Sequence, residues 1–180
     1  MRAVIDTNVL LVANGDHADV STDCRVECVL RLQRMQAAGV TVIDDSFRLL
    51  GEYLNKTKLN PPKGVGDVFL KWLLREANNV ARVEQVTITD APGECFVEFP
   101  VPALQRAFDA PDRKFVAVAH AHPNKPPIWQ AADCKWLDWC HPLQACGIRV
   151  EFLCEQDACR FYARKFPNKL LPALPPKSVT

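Results

Sequence analysis

Residues 3–10 read Ala-Val-Ile-Asp-Thr-Asn-Val-Leu, and the first four of them determine how the chain begins to fold. The run Ala3-Val4-Ile5 is apolar, partly β-branched and closed by the carboxylate of Asp6, which predicts a short buried strand that ends in a polar turn. The residues beyond the strand favour a loop: Asn8, Asn14, Gly15 and Asp16.

Outward from this stretch the same order of strand and helix recurs. Residues 22–38 predict a helix, with Ser21 or Thr22 as its N-cap and Gly39 as its stop. Residues 40–43 are β-branched throughout and predict a second buried strand, followed by a helix to about residue 57. Further strands are expected within 83–89, 95–99, 128–132 and 148–153, and further helices within 65–79, 111–123, 135–146 and 156–166. The segment from Pro100 to Phe108 is expected to be irregular.

Alternating strands and helices with short connections predict an α/β fold, here a three-layer α/β/α sandwich around about five mostly parallel strands. The length of 180 residues fits one domain, which we assign to residues 1–166. Residues 167–180 contain four prolines and predict an extended, proline-rich tail.

The net charge of +1 excludes a nucleic-acid binder that works by bulk positive charge. The charge is unevenly distributed, because residues 1–54 carry eight acidic and five basic groups whereas residues 155–180 carry two acidic and five basic groups. The near-neutral net charge therefore limits non-specific affinity for nucleic acids without excluding a nuclease. The chain opens without the apolar core of a signal peptide and contains no stretch long enough to span a membrane, so we expect a cytoplasmic protein.

The eight cysteines form no Cys-x-x-Cys pair, and the pair of Cys24 and Cys28 has no second pair at zinc-finger spacing. The one Cys/His cluster, considered as an alternative zinc site, is Cys134, Cys140, His141 and Cys146. In a reducing compartment we expect the cysteines to be buried thiols that act as small hydrophobic side chains.

Acidic residues fall where the predicted strands end. Asp6 and Asp133 each follow a strand directly, and Asp112 begins a helix on the same edge of the sheet. Ligands of open parallel sheets bind outside this edge, near the point where strand order reverses. Like charges held close together repel unless a cation lies between them, and Mg²⁺ and Mn²⁺ accept carboxylate oxygens. The residues alone therefore predict a Mg²⁺ or Mn²⁺ site for phosphoryl-transfer or phosphodiester chemistry.

Three blocks resemble the motifs of PIN-domain nucleases. Residues 4–10 (Val-Ile-Asp-Thr-Asn-Val-Leu) resemble the first-strand motif of that family, and Val42-Ile43-Asp44 with Leu50-Gly51-Glu52-Tyr53 resembles its second strand and acidic helix. Residues 108–119 (Phe-Asp-Ala-Pro-Asp-Arg-Lys-Phe-Val-Ala-Val-Ala) resemble its third acidic motif and buried helix. The resemblance covers about residues 1–153, in the order the family shows.

This resemblance implies a Mg²⁺- or Mn²⁺-dependent endoribonuclease that acts on single-stranded or structured RNA, often as the toxin of a toxin–antitoxin pair. Asp6, Glu52 and Asp112 would be the catalytic, metal-binding carboxylates, and Asp133 would be the fourth. The fourth motif departs from the family pattern, which commonly has Thr or Ser and often a second acidic residue close by. Asp138 is the nearest substitute for Asp133. An antitoxin is an expected partner, and the oligomeric state, including a homodimer, stays open.

Other residues of the motifs would support the carboxylates. Thr7, Asn8 and Asp109 would lie behind the metal ligands, with Asn8 orienting the first carboxylate or a metal-bound water. The basic residues that flank the carboxylates would contact substrate phosphates: Arg113, Lys114 and Lys135.

Simpler interpretations exist for two of the acidic residues. By helical periodicity Glu52 is a solvated partner of Lys56, four residues on. Asp109 is placed where it can act as an N-cap, with Asp112 favoured by the helix dipole. An alternative function follows, in which the chain keeps the fold as a catalytically decayed RNA-binding or partner-binding module. A receiver or haloacid-type phosphotransferase fits poorly, because the second Asp expected two positions after Asp6 is missing.

Overall fold

A computed structural model describes residues 1–174 of the chain. Its strands in that range are β1 (Arg2–Ile5), β2 (Val40–Asp44), β3 (Val83–Val86), β4 (Asp90–Ala91), β5 (Cys95–Phe96), β6 (Ile128–Gln130) and β7 (Val150–Phe152). Its α-helices in that range are α1 (Thr7–Asn14), α2 (Thr22–Ala38), α3 (Arg48–Lys56), α4 (Val65–Glu76), α5 (Pro102–Ala107), α6 (Arg113–Ala121), α7 (Trp136–Ala145) and α8 (Glu155–Lys165).

Five strands form one parallel sheet in the order β3-β2-β1-β6-β7, with helices packed against it. The predicted α/β sandwich with five parallel strands is therefore confirmed. β1 lies at the centre, with Arg2 opposite Val40 on one side and Ile5 opposite Trp129 on the other. The chain builds outward from β1 through β2 to β3 and then places β6 and β7 on the other side. The strand order consequently reverses between β1 and β6, where open α/β sheets hold their ligands.

The predicted loop after β1 is wrong, because α1 begins directly at Thr7. The Asp6 carboxylate caps this helix by accepting a hydrogen bond from the Asn8 N–H at 2.8 Å, and Gly15 ends it in the left-handed conformation. The helix buries a set of apolar side chains against the core: Val9, Leu10, Val12 and Ala13. It is short and buried around most of its circumference, so it lacks the amphipathic period from which a surface helix is recognised.

A second pair of side chains anchors α1. The Asn14 side chain donates to Asp67 at 2.7 Å and accepts from the Asp67 N–H at 3.0 Å, which joins the end of α1 to α4 in the interior. Asn14, taken in the sequence as a loop marker, is thus a buried residue at the contact between two helices. This pairing spans 53 residues, and no local pattern predicts it.

The segment before α6 also differs from the expected irregular chain. The extra strand within 95–99 exists as β5, which pairs with β4 in a small antiparallel hairpin. Residues 102–107 form α5, with Pro102 in its first turn, where the missing N–H of proline has no helical partner to lose.

The cysteines differ from the expectation that all are thiols. Cys24 and Cys154 form a disulfide with a Cα–Cα distance of 4.9 Å. Cys134 and Cys140 are buried thiols as expected. The alternative zinc cluster does not assemble: the Cys140 thiol faces the Leu137 carbonyl at 3.3 Å, while His141 Nε2 lies 2.7 Å from the Ala173 carbonyl oxygen.

Residues 167–174 follow α8 without forming a helix or strand, and they begin with a turn in which the Lys169 N–H donates to the Phe166 carbonyl at 3.0 Å. The rest of the predicted tail, residues 175–180, lies outside the described residues. Within residues 1–174, no helix has both the length and the apolar character needed to cross a membrane.

Candidate active site

The acidic residues of the sequence motifs come from four separate segments: the end of β1, helix α3, the turn before α6, and the turn after β6. Asp112, Asp133 and Glu52 each act on Asp6 through their negative charge. This cluster lies at the reversal of strand order between β1 and β6. We call Asp6, Glu52, Asp112 and Asp133 the acidic cluster.

Asp6 is the most buried member, with 5% of the residue exposed. Burial first, and then the charge of Asp112, raise the pKa of the Asp6 carboxyl well above its usual range. The hydrogen bond from the Asn8 N–H opposes this shift. Asp6 therefore combines the role of helix cap with a position in which its negative charge is poorly compensated.

Helix α3 brings Glu52 to the same site. The Asp44 carboxylate starts α3 by accepting from the Arg48 and Leu49 N–H groups at 2.8 and 2.9 Å. The helix buries Leu49, Leu50 and Tyr53, whereas the expected members of its apolar arc, Phe47 and Leu54, are exposed.

This rotation of the helix places Glu52 beside the sheet edge. Its Oε1 accepts a hydrogen bond from the Thr7 hydroxyl at 2.6 Å, and its other oxygen forms an ion pair with Lys114. Both side chains of the ion pair are largely buried, at 17% and 12% exposure. The interpretation of Glu52 as a solvated partner of Lys56 is therefore wrong, because Glu52 is bound to Thr7 and Lys114 instead.

Asp112 closes a 3₁₀ turn (Ala110–Asp112) that leads into α6. Burial first, then Asp133, Asp109 and Glu52, raise the pKa of Asp112 to about 7, while the Lys114 ammonium lowers it. Asp112 is thus a carboxyl group whose ionisation at neutral pH is opposed by its surroundings.

Asp109 occupies the N-cap position of this turn, as predicted, but its side chain makes no capping hydrogen bond there. It forms an ion pair with Lys135 instead, and 47% of its side chain is exposed. Asp109 therefore lies at the rim of the acidic cluster and contributes negative charge to it.

Asp133, the residue of the altered fourth motif, is half-buried and accepts from the Lys135 N–H at 3.1 Å. Its substitute Asp138 accepts a hydrogen bond from the Tyr162 hydroxyl at 2.5 Å and pairs with Lys169 at 3.3 Å. Asp133 acts on Asp6 and Asp112, whereas Asp138 is engaged with α8 and the segment after it.

Two neutral side chains hold the backbone around the cluster. Asn8 Oδ1 accepts from the Ala132 N–H at 3.1 Å, which ties the start of α1 to the turn that carries Asp133. The Tyr53 hydroxyl donates to the Ile5 carbonyl, and burial followed by the charge of Asp6 raises the pKa of this phenol well above its usual value. Sequence reasoning missed Tyr53, although it adjoins Glu52 in the second motif.

The three basic residues proposed for phosphate contacts differ in their surroundings. Arg113 donates to the backbone carbonyls of Phe108 at 3.0 Å and Gly93 at 2.8 Å, and thereby holds the hairpin loop. Lys114 and Lys135 pair with carboxylates and lie within the site. These two lysines are the basic residues positioned to exchange a carboxylate partner for a phosphate.

The donor set of the acidic cluster suits a hard divalent cation, because all four groups are carboxylates and two of them are disfavoured as anions by their neighbours. The cluster is nevertheless wider than a formed metal centre. Among residues 1–174, one set of three or more His, Cys, Asp or Glu side chains has its ligand atoms all within 4.8 Å of one another. That set consists of cysteines, so the carboxylates of the acidic cluster are spaced more widely. Cation binding would therefore require the carboxylates to draw together, with Glu52 released from Lys114.

Comparisons of the chain with models of protein families, with curated proteins and with solved structures found no match. The resemblance to PIN-domain nucleases therefore depends on the sequence motifs.

Proposed function

We propose that this chain is a divalent-metal-dependent phosphodiesterase and, within that class, a PIN-like endoribonuclease. The observation that carries the proposal is the meeting of Asp6, Glu52, Asp112 and Asp133 at the strand-order reversal, where their negative charges act on one another. Glu52 is paired with Lys114, but Asp6 and Asp112 are a buried and a half-buried carboxyl group whose negative charges repel each other, which lowers the stability of the fold. A bound cation would offset that cost.

Asp6, Glu52, Asp112 and Asp133 would hold Mg²⁺ or Mn²⁺, which when bound would supply an activated water and neutralise charge on the scissile phosphate. The Thr7 hydroxyl orients the Glu52 carboxylate, and Asn8 fixes the turn that carries Asp133. Lys114 would exchange Glu52 for a phosphate oxygen of the substrate, so that its positive charge stays within the site. The reaction is hydrolysis of a phosphodiester bond, which leaves a 5′-phosphate and a 3′-hydroxyl.

RNA as substrate, an antitoxin as partner and a cytoplasmic location belong to the same proposal. They follow from the family resemblance of residues 1–153. The near-neutral charge of the chain favours selective over bulk nucleic-acid binding.

The test is cleavage of a fluorescent single-stranded RNA by the wild type and the Asp6→Asn variant, with Mg²⁺ or Mn²⁺ and with EDTA. We expect EDTA to abolish cleavage and Asp6→Asn to lower its rate by on the order of 100-fold, since loss of a metal ligand costs at least as much as loss of its supporting contacts. Asp138→Asn makes the same chemical change outside the acidic cluster and should stay active. Cleavage that withstands both EDTA and Asp6→Asn would refute the proposal, and a parallel DNA strand distinguishes RNA from DNA as the substrate.

One observation favours a second candidate, an RNA-binding or partner-binding module without catalysis. Lys114 already neutralises Glu52, and the carboxylates stand further apart than metal ligands do. Titration calorimetry with Mn²⁺ separates the two functions. Absence of Mn²⁺ binding together with retained RNA binding would favour the module.

A further inference from the structure

Three cysteine sulfur atoms meet in a buried cluster that shares no residue with the acidic cluster. Cys24 and Cys28 lie four residues apart on one face of α2, and Cys154 immediately precedes α8. The exposed fractions of the three residues are 3%, 0% and 5%. Their sulfur atoms all lie within 4.8 Å of one another. We call these residues the cysteine triad.

The disulfide uses two of the three sulfurs and leaves Cys28 as a thiol. Cys28 Sγ lies 3.8 Å from Cys154 Sγ. Zinc–sulfur bonds of about 2.3 Å in a tetrahedron place two thiolates about 3.8 Å apart, so this separation is that of two ligands on one zinc ion. We propose that the reduced cysteine triad is a thiolate site for Zn²⁺, in competition with the Cys24–Cys154 disulfide.

Two helix N-termini favour negative charge on the sulfurs of Cys24 and Cys154. Cys24 lies in the first turn of α2, where the Ser21 hydroxyl caps its N–H at 3.1 Å, and Cys154 is at the N-terminus of α8. Both helix ends present partial positive charge, which stabilises a thiolate. Near Cys28 the Glu27 carboxylate and the Arg31 guanidinium form an ion pair and oppose each other. The two helix ends therefore partly offset the single net negative charge of three thiolates on Zn²⁺.

A role for Cys28 in thiol–disulfide exchange explains its position beside the disulfide less well than zinc binding does. Exchange requires a thiolate as nucleophile, and burial raises the pKa of Cys28 to about 12. Cys28 is also fully buried, out of reach of an external disulfide.

A cavity adjoins two of the three cysteines. Among residues 1–174 no fourth His, Cys, Asp or Glu side chain joins the group. Cys24 and Cys154 instead line a cavity of about 800 Å³, together with Trp129, Arg149 and Glu151. Three protein ligands with a water in an open fourth position is the arrangement of catalytic rather than structural zinc sites.

The two states of the triad interconvert by a balanced reaction. A dithiol reductant gives two electrons and two protons to the Cys24–Cys154 disulfide and is itself oxidised to a disulfide. The three resulting thiols then bind Zn²⁺ and release three protons to solvent. A two-electron disulfide oxidant reverses the sequence: it accepts two electrons and two protons to become a dithiol, Cys24–Cys154 re-forms, Zn²⁺ is expelled and Cys28 takes up the third proton.

The experiment uses the full chain, reduced by a phosphine under anaerobic conditions, with excess Mg²⁺ to occupy carboxylate sites. Co²⁺ is the spectroscopic probe, and Zn²⁺ displaces it. We expect thiolate-to-cobalt charge-transfer bands that saturate at one equivalent and disappear on addition of Zn²⁺. Oxidised protein should show no such bands.

Cys28→Ser removes one ligand and leaves the disulfide-forming pair intact, so its folding is checked in the oxidised state by circular dichroism. We expect this variant to weaken Zn²⁺ binding by at least about 100-fold, and Cys159→Ser, a half-buried cysteine outside the triad, to leave it unchanged. The proposal fails if reduced wild type gives no charge-transfer bands, if Cys28→Ser keeps the wild-type spectrum and affinity, or if oxidised protein binds equally well. None of these outcomes depends on nuclease activity.

Discussion

Asp112→Asn is predicted to stabilise the metal-free protein at and above neutral pH. The folded chain raises the pKa of Asp112 to about 7 from an ordinary value of 3.8, chiefly because the carboxyl group is buried and secondarily because of Asp133, Asp109 and Glu52. Each pH unit between the two values corresponds to about 1.4 kcal/mol, which makes the cost of ionising Asp112 in the folded state about 4 kcal/mol at most. Asparagine gives up the attraction of a carboxylate to the helix N-terminus, about 0.3–1 kcal/mol. We therefore expect the substitution to raise the free energy of unfolding by at most about 3 kcal/mol.

The increase in the free energy of unfolding of Asp112→Asn must depend on pH. A carboxyl whose folded pKa is raised binds its proton more tightly in the folded than in the unfolded chain. The stability that this proton contributes is fully present below about pH 4 and is lost as the pH rises through about 7. Asp112→Asn should therefore be no more stable than the wild type near pH 4 and should reach its full advantage above about pH 7.

Urea denaturation in EDTA, followed by circular dichroism at several pH values, measures this difference. Asp19→Asn is the matched control, because Asp19 lies outside the acidic cluster, its side chain is 58% exposed and its ion pair with Arg164 is worth about 0–1 kcal/mol. The reasoning is refuted if Asp112→Asn is no more stable than the wild type at about pH 8, or if its advantage is the same at every pH. Under the proposed function, saturating Mn²⁺ should narrow the difference, since the cation stabilises the ionised wild-type cluster.

Further predictions concern the neighbours of the site and the packing of α1. Lys114→Met removes the ammonium that competes with a cation for Glu52, so calorimetry should show Mn²⁺ binding up to about fivefold more tightly. An unchanged or weaker Mn²⁺ affinity would count against the proposal that Glu52 leaves Lys114 to bind the cation. Gly66→Ala drives a methyl group into the Leu10 carbonyl and should lower the free energy of unfolding by about 1–3 kcal/mol in urea denaturation. Gly51→Ala is its control, because a Cβ there meets no atom within 4 Å, and it should raise that free energy by about 0.5–1 kcal/mol. Equal effects of the two substitutions would contradict the close contact of α1 with α4.

Signals local in the sequence sufficed for much of the fold. The cap at Ser21 and the stop at Gly39 bound α2 where the structure has it. A β-branched run marks β2 and a short apolar run marks β1, as expected for buried strands of a parallel sheet. From their alternation with helices, the sequence also led to a parallel sheet and to carboxylates at the ends of β1 and β6.

The details of the candidate site required the tertiary structure. The sequence by itself determined which acidic residues follow strands, because that depends on neighbours a few positions away. It did not determine that Glu52 binds Thr7 and Lys114, or that Lys135 forms an ion pair with Asp109. Nor did it determine the disulfide between Cys24 and Cys154, which are 130 residues apart. Those pairings join segments distant in the chain, and the packing of α1, α3 and α6 on the sheet decides them. Periodicity reports only which face of an element is apolar, whereas the rotation of each helix follows from how its side chains fit the surface beneath.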